Sequence, residues 1–356
     1  MDVRQESLQK WVLSTLPSSQ CVPQGSLEVV SGDASFRRYF RQHVLLDGKA
    51  ASFIAVDAPP DKENSQSFVD IANAWVAQGI NVPKVSKADL GQGFMLLSDM
   101  GDQLLLPLLN TETRDELYGL AMTALIPIQQ STFDLPPYDD ALLNREMALF
   151  RDWLLVEHLG MDLSQHEESI LSETFELLRE SALGQMQVPV HRDYHSRNLM
   201  LEADGQLGII DFQDAVHGPI TYDLVSLLKD CYMAWPKDKV HAWVQTYYKQ
   251  AREAKLVAVS LEQFMLWFDW MGMQRHLKAA GIFARLNHRD GKPGYMEDIP
   301  RTLNYIRDVT AQYQALQPFN NWFEMSLIPA LEAKGMEMPE PLLESELANS
   351  EEDASS

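Results

Sequence analysis

Apolar positions recur at helical spacing in the opening residues, where Leu8, Trp11, Val12 and Leu16 share one side of a stretch that stops at Pro17. This pattern predicts an amphipathic helix over residues 2 to 16. It then gives way to short runs rich in β-branched and aromatic residues, Leu27 to Val30, Phe36 to Val44 and Phe53 to Val56, separated by SGDAS and by a DGKA turn. Runs joined so closely predict an antiparallel meander. A helix with Phe68, Ile71, Ala72, Trp75 and Val76 on one face ends at Gly79, and two more strands are expected at Lys84 to Lys87 and Phe94 to Ser98.

Beyond Ser98 the periodicity is mostly helical, with helices expected over residues 112 to 130, 140 to 160 and 165 to 182. A short apolar VPV run then leads into His191. A β-hairpin follows, with arms Leu199 to Leu201 and Leu207 to Ile210 and a turn at Ala203-Asp204-Gly205. Helices resume over 221 to 232, 238 to 254, 260 to 287 and 298 to 315. The fold class this implies is α+β in two lobes: a small antiparallel sheet with one helix, then a larger, mostly helical part. The expected organisation is an N-terminal helix (1–17), an N-lobe (18–98), a C-lobe (99–336) and an acidic, disordered tail (337–356).

Composition narrows the function classes. The chain has 356 residues, 46% of them hydrophobic, which suits a folded globular protein. It lacks an uncharged apolar run of about 18 residues, and MDVRQESLQKWVL lacks the basic-then-apolar order of a signal peptide, so a soluble cytoplasmic protein is expected. Cys21 and Cys231 are too few for a disulfide framework and match no metal spacing. A formal net charge of -22 argues against nucleic acid and anionic membrane as partners. Part of that charge lies in the tail, where seven acidic and no basic residues follow from Glu337.

Candidate chemistry is concentrated between His191 and Asp211. Residues 191–198 read HRDYHSRN, and Asp211 opens DFQD at the end of the second hairpin arm. Phosphoryl transfer to a hydroxyl needs an oriented base near the nucleophile and a divalent metal on the phosphate oxygens. Asp193 suits the base, while Asn198 and Asp211 supply the neutral and charged oxygens that Mg²⁺ accepts. Taken singly, Asp193 reads as a loop carboxylate and Asn198 as a turn residue. Asp211 is harder to dismiss, since a carboxylate directly after an apolar LGII strand is costly unless metal or cations meet it. His191 suits a structural role, bonding backbone near the metal-binding Asp and shaping the loop. A two-His, one-carboxylate iron site is the competing reading, but such sites belong to β-sandwich-like proteins and this region is flanked by helices.

HRDYHSRNLM and GIIDFQDAVHGPITYDLVSLLKD resemble the aminoglycoside phosphotransferase and choline kinase-like family, whose members share the protein-kinase fold. SGDASFRRYFR, FIAVDAPP and WFDWMGMQRHLKAAGIFARLNHRDGK look more particularly like the bacterial anomeric sugar kinases of cell-wall recycling. Those enzymes phosphorylate N-acetylmuramate and N-acetylglucosamine at the C1 hydroxyl. The resemblance implies a protein-kinase-like fold, with ATP and Mg²⁺ as cofactors and a small sugar as acceptor. It implies Asp193 as base, Asn198 and Asp211 as metal ligands, and residues 31–40 as the loop over the phosphates. Gly32 would allow close backbone approach, Ser31 and Ser35 would donate to phosphate oxygens, and Arg37 or Arg38 would add charge. Ser98 and Met100, in the stretch matching the connection between lobes, would present backbone to adenine.

One departure stands out. Kinases place a Lys on the third strand to meet the phosphates, whereas this strand ends Ala55-Val56-Asp57, so that either Arg37, Arg38 or Lys62 substitutes or phosphate positioning relies more on metal and backbone. For the acceptor, Phe264, Trp267, Phe268 and Met271 form a core stripe on the 260–287 helix. Trp270, Arg275 and His276 fall off that stripe and are candidates for stacking and hydrogen-bonding a sugar, with Asp214 and His217 as a second set. Rival readings are a kinase for an aminoglycoside, choline or another sugar, and a nucleotide-binding pseudokinase.

Overall fold

The structure is a computed structural model and describes residues 2–16, 21–32 and 36–339. In chain order its elements are α1 (Val3–Thr15), β1 (Cys21–Gly32), β2 (Arg38–Leu46), β3 (Lys49–Asp57), α2 (Ser65–Ala77), β4 (Val85–Asp89), β5 (Phe94–Ser98), α3 (Arg114–Gln129), α4 (Asp140–Leu149), α5 (Gln165–Leu183), β6 (Gln187–Val190), β7 (Leu199–Leu201), β8 (Leu207–Ile209), β9 (Val216–Pro219), α6 (Tyr222–Leu228), α7 (Lys237–Glu253), α8 (Leu261–Asp290) and α9 (Ile299–Thr310). α4 runs on as a π-helix over Phe150–His158, and short helical turns follow α9 over 317–332. Each helix and strand expected from the periodicity is present. β9 and the 317–332 turns were not anticipated. VHGP is too short to show alternation, and Pro318 and Pro329 at helix starts interrupt the apolar period. The predicted tail lies outside the described residues from 340 onward.

The chain divides into two compact units, Met1–Leu105 with Arg197–Asp214, and Leu106–Ser196 with Ala215–Ser356. In the first, a five-stranded antiparallel sheet has the order β1-β2-β3-β5-β4. Alternation along β2, β3 and β5 puts Phe40, Ala55, Phe94 and Leu96 on one face, where they pack with Leu8 and Val12 of α1. α1 is capped at its start by Asp2, whose side chain accepts from Gln5 N–H at 2.9 Å. The β7–β8 hairpin joins this unit through backbone bonds: Leu105 N–H to Leu199 O (2.8 Å), Leu201 N–H to Gln103 O (2.8 Å) and Ile209 N–H to Asn81 O (2.9 Å). The expected C-lobe of 99–336 thus contributes its hairpin to the sheet-bearing unit.

The second unit is built around α8, whose core neighbours include Met147, Phe150, Leu154, Leu303, Ile306, Phe319 and Phe323. Unlike an amphipathic surface helix, α8 is buried on all sides, with Phe268, Asp269, Met271, Gln274, Arg275, His276 and Lys278 enclosed. Gly281 permits the closest approach. A Cβ there would lie 2.3 Å from the carbonyl carbon of Leu149, so α8 meets the α4–π-helix junction backbone to backbone.

Candidate active site

In the second unit, β6 pairs antiparallel with β9 and delivers the chain to His191. Two buried carboxylates at the ends of α6 hold the loop that follows. Asp223 accepts from the backbone N–H of His191 (2.7 Å) and of Arg192 (3.0 Å). Asp230 accepts from Ser196 N–H at 3.0 Å and from its hydroxyl. Neither anchor was expected from the sequence; the only visible signal is a pair of aspartates flanking an apolar helix. Within the loop, His191 Nδ1 accepts from Asp193 N–H at 3.2 Å, so the histidine shapes the backbone at Asp193 itself. Arg192 takes a positive φ of 76°, a conformation that costs a non-glycine residue and that the anchors stabilise.

Asp193 lies against a cationic surround. Burial opposes its ionisation, but Lys278, His195, Arg192 and His191 outweigh that and hold its carboxyl below the usual carboxylate range. Lys278 and Arg192 are fixed by one buried partner, Glu146, at 3.2 and 2.5 Å. Tyr138 donates to the other Glu146 oxygen, and Lys278 donates to Tyr222 at 2.9 Å. The cations are therefore hydrogen-bonded and rigid. Asp223 behaves oppositely: burial pushes it up to about 7, against the lowering by the two N–H groups it accepts from.

In the first unit, the hairpin brings Asn198 and Asp211 together. Ile210 N–H bonds Asn198 O at 3.0 Å, and Asn198 Nδ2 lies 3.5 Å from Asp211 Oδ2. Asp211 takes a φ of 66°, and Gln213 donates to its Oδ1 at 2.9 Å. The next residue, Phe212, is fully buried and stacks on Phe68 of α2 with ring centroids 4.7 Å apart. That plug and the apolar strand before it fix Asp211 at the hairpin mouth. One carboxylate and one amide, which presents its oxygen after a turn about χ2, suit a hard cation that keeps phosphate and water in its other positions.

The expected nucleotide residues are placed as follows. Ser35 lies outside the described residues, and Ser31 and Gly32 are described in backbone only, at the end of β1. Arg37 pairs with Glu63 at 3.2 Å. Arg38 bonds Asp57 and Asp2. Ser98 is tied to Lys84 by reciprocal bonds, backbone N–H to Lys84 O and Lys84 N–H to Ser98 Oγ, both 2.9 Å. Met100 packs on β8, with its sulfur 2.6 Å from where a Cβ on Gly208 would stand. The segment after β5 is further braced by Arg41, which bonds Asp99 (2.6 and 3.0 Å) and Asp102 (2.6 Å).

On α8, the acceptor candidates Arg275 and His276 are buried and Trp270 is partly exposed. Arg275 is buried with its guanidinium 3.6 Å from Cys231 Sγ. His276 is fully buried, bonds Lys229 O at 2.9 Å and stacks on Tyr305, and burial and Arg275 push its pKa well down. Trp270 packs edge-on to Tyr313 beside the core. Arg275 and His276 are enclosed because α8 is buried around its circumference there, whereas Trp270 is half-buried. Asp214 and His217 are exposed.

A model of the phosphotransferase enzyme family matches residues 26–267. The chain belongs to this family. It is similar to the N-acetylmuramate/N-acetylglucosamine kinase of Pseudomonas putida, 43% identical over 86% of this chain and 92% of that protein. The kinase of the same name from Neisseria meningitidis is 39% identical over 88% and 93%. Among solved structures, a choline kinase from Streptococcus pneumoniae superposes with a TM-score of 0.61 at 15% identity, covering 86% of this chain and 100% of that one. The α+β, kinase-like fold class expected from the sequence is the fold of this family member. No helix among its described residues is long and apolar enough to cross a membrane.

Proposed function

We propose that this phosphotransferase is a cytoplasmic, ATP-dependent kinase that transfers the γ-phosphoryl group to the C1 hydroxyl of N-acetylmuramate and N-acetylglucosamine in peptidoglycan recycling. The observation that carries the chemistry is the Asn198–Asp211 pair at the hairpin mouth, with Asp211 in a positive-φ conformation. The acceptor rests on the 43% identity to kinases of that name.

Asp193 accepts a hydrogen bond from the C1 hydroxyl, orients its oxygen toward the γ-phosphorus and takes its proton as the new O–P bond forms. The bond from γ-phosphorus to the bridging oxygen breaks, and ADP leaves. Because its cationic neighbours keep Asp193 ionised at neutral pH, the carboxylate is ready for the hydroxyl before the proton moves. Asn198 and Asp211 would hold Mg²⁺, which when bound neutralises charge on the phosphate oxygens. Lys278 and Arg192 beside Asp193 also favour a neutral or acidic acceptor over a cationic one such as choline.

The test is ADP release from Mg·ATP with a panel of N-acetylmuramate, N-acetylglucosamine, choline and an aminoglycoside. Release with the two N-acetyl sugars alone supports the reading. Release with choline or the aminoglycoside and not with the sugars moves the acceptor elsewhere in the family, and release with none removes the kinase.

A further inference from the structure

Three cations could meet the donor phosphates in place of a third-strand lysine, and their surroundings differ. Gly32 pairs with Arg38, and Arg38 with Asp57, so the β1–β2 tip and the end of β3 lie at one end of the sheet. Alternation puts Arg38 and Asp57 on the face of Phe40, Ala55 and Phe94, which α1 covers. There Asp57, fully buried, accepts from Arg38 Nε at 3.1 Å and from Arg4 Nε of α1 at 2.9 Å, while Arg38 also bonds Asp2. Arg38 therefore fastens α1 to the sheet. Lys62 is half exposed, 3.9 Å from Asp61 and over the Phe36 ring.

Arg37 is built differently. Its side chain is 5% exposed and meets Glu63 at 3.2 Å, in the loop leading into α2. The other Glu63 oxygen accepts from Phe36 N–H at 3.0 Å, so one carboxylate fixes both the backbone at the hairpin tip and the guanidinium beside it. A buried guanidinium at this position is oriented before any ligand arrives. The planar guanidinium presents its donors in a fixed fork of the kind that matches phosphate oxygens.

We infer that Arg37, oriented by Glu63, is the cation that contacts the β- and γ-phosphates, and that Arg38 and Lys62 are not. The ion pair that other kinases build between a third-strand lysine and a helix glutamate is here built between the β1–β2 tip and the loop before α2. The inference rests on the kinase reading above and deepens it.

Calorimetric titration of Mg·ATP and of adenosine into the wild type, R37M, R37K, R38M and E63Q tests it. Adenosine carries no phosphate, so the ratio of the two affinities isolates the phosphate contact from any general loosening of the unit. R37M is expected to bind ATP about 10- to 100-fold more weakly with adenosine affinity kept within about twofold. R37K should lose about 3- to 10-fold, because an ammonium does not reproduce the fork, and it serves if R37M does not fold. E63Q should weaken ATP by a smaller factor, and R38M should lower Tm while keeping the wild-type ratio. An unchanged ratio in R37M and R37K, or a collapsed ratio in R38M in their place, overturns the inference and leaves the kinase reading standing. A wild type that does not prefer ATP to adenosine overturns both.

Discussion

Asp193 owes its charge to neighbours that no local spacing announces. Lys278 is the foremost of the cations that favour its ionised form, and it reaches the loop from α8, with Glu146 of α4 holding it in place. Removing that cation raises the carboxyl's pKa, so protonation occurs at higher pH and the base is lost earlier on acidification. K278M is therefore expected to move the acid limb of the kcat/KM profile to higher pH. A wild-type acid limb in K278M would show that Lys278 does not set the charge of Asp193. The HRDYHSRN and DFQD spacing marks Asp193, Asn198 and Asp211 as candidates because they fall within 21 consecutive residues. Lys278, Glu146 and Glu63 were not legible, being ordinary charged residues in helices or loops until the fold brings them to a partner. His276 and Arg275 lie deeper than their polar side chains suggest, because α8 is central to its unit.

Helices and strands in this chain are set by the apolar period, but their close contacts are set by single residues. Gly281 lets α8 touch the backbone at Leu149 and Phe150. G281A forces that contact apart and is expected to destabilise the protein by about 2–3 kcal/mol, read as a lowered denaturant midpoint. An unchanged midpoint would mean the junction yields freely. The α6 anchors add a pH dependence. Asp223 titrates near 7 in the folded state, above its unfolded value of about 3.9, so the native chain keeps a proton that the unfolded chain has lost. Its contribution is fully present below the unfolded value and declines as pH rises through 7. D223N, which cannot titrate, should start less stable at pH 5 and lack this decline. Parallel stability curves for the two proteins would refute the buried, protonated state.

At the scale of the whole molecule, the sequence showed a sheet-bearing part and a helical part in the right order, because a period of two gives way to one of 3.6 after Ser98. It did not show that residues 197–214 return to the sheet-bearing unit. The bonds responsible join Ile209 to Asn81 and Leu199 to Leu105, backbone pairings about a hundred residues apart in the chain that leave no mark on side-chain pattern. The chain therefore passes from one unit to the other between Ser196 and Arg197, between the proposed base and the proposed metal ligands. The measurement that bears most directly on the central claim is phosphorus NMR of the product formed from N-acetylmuramate and Mg·ATP. The account predicts a sugar phosphate whose phosphorus couples to the C1 proton, formed by the wild type and at least about 10³-fold more slowly by D193N at unchanged ATP affinity. A phosphate on any other hydroxyl, or near-normal turnover by D193N, would contradict it.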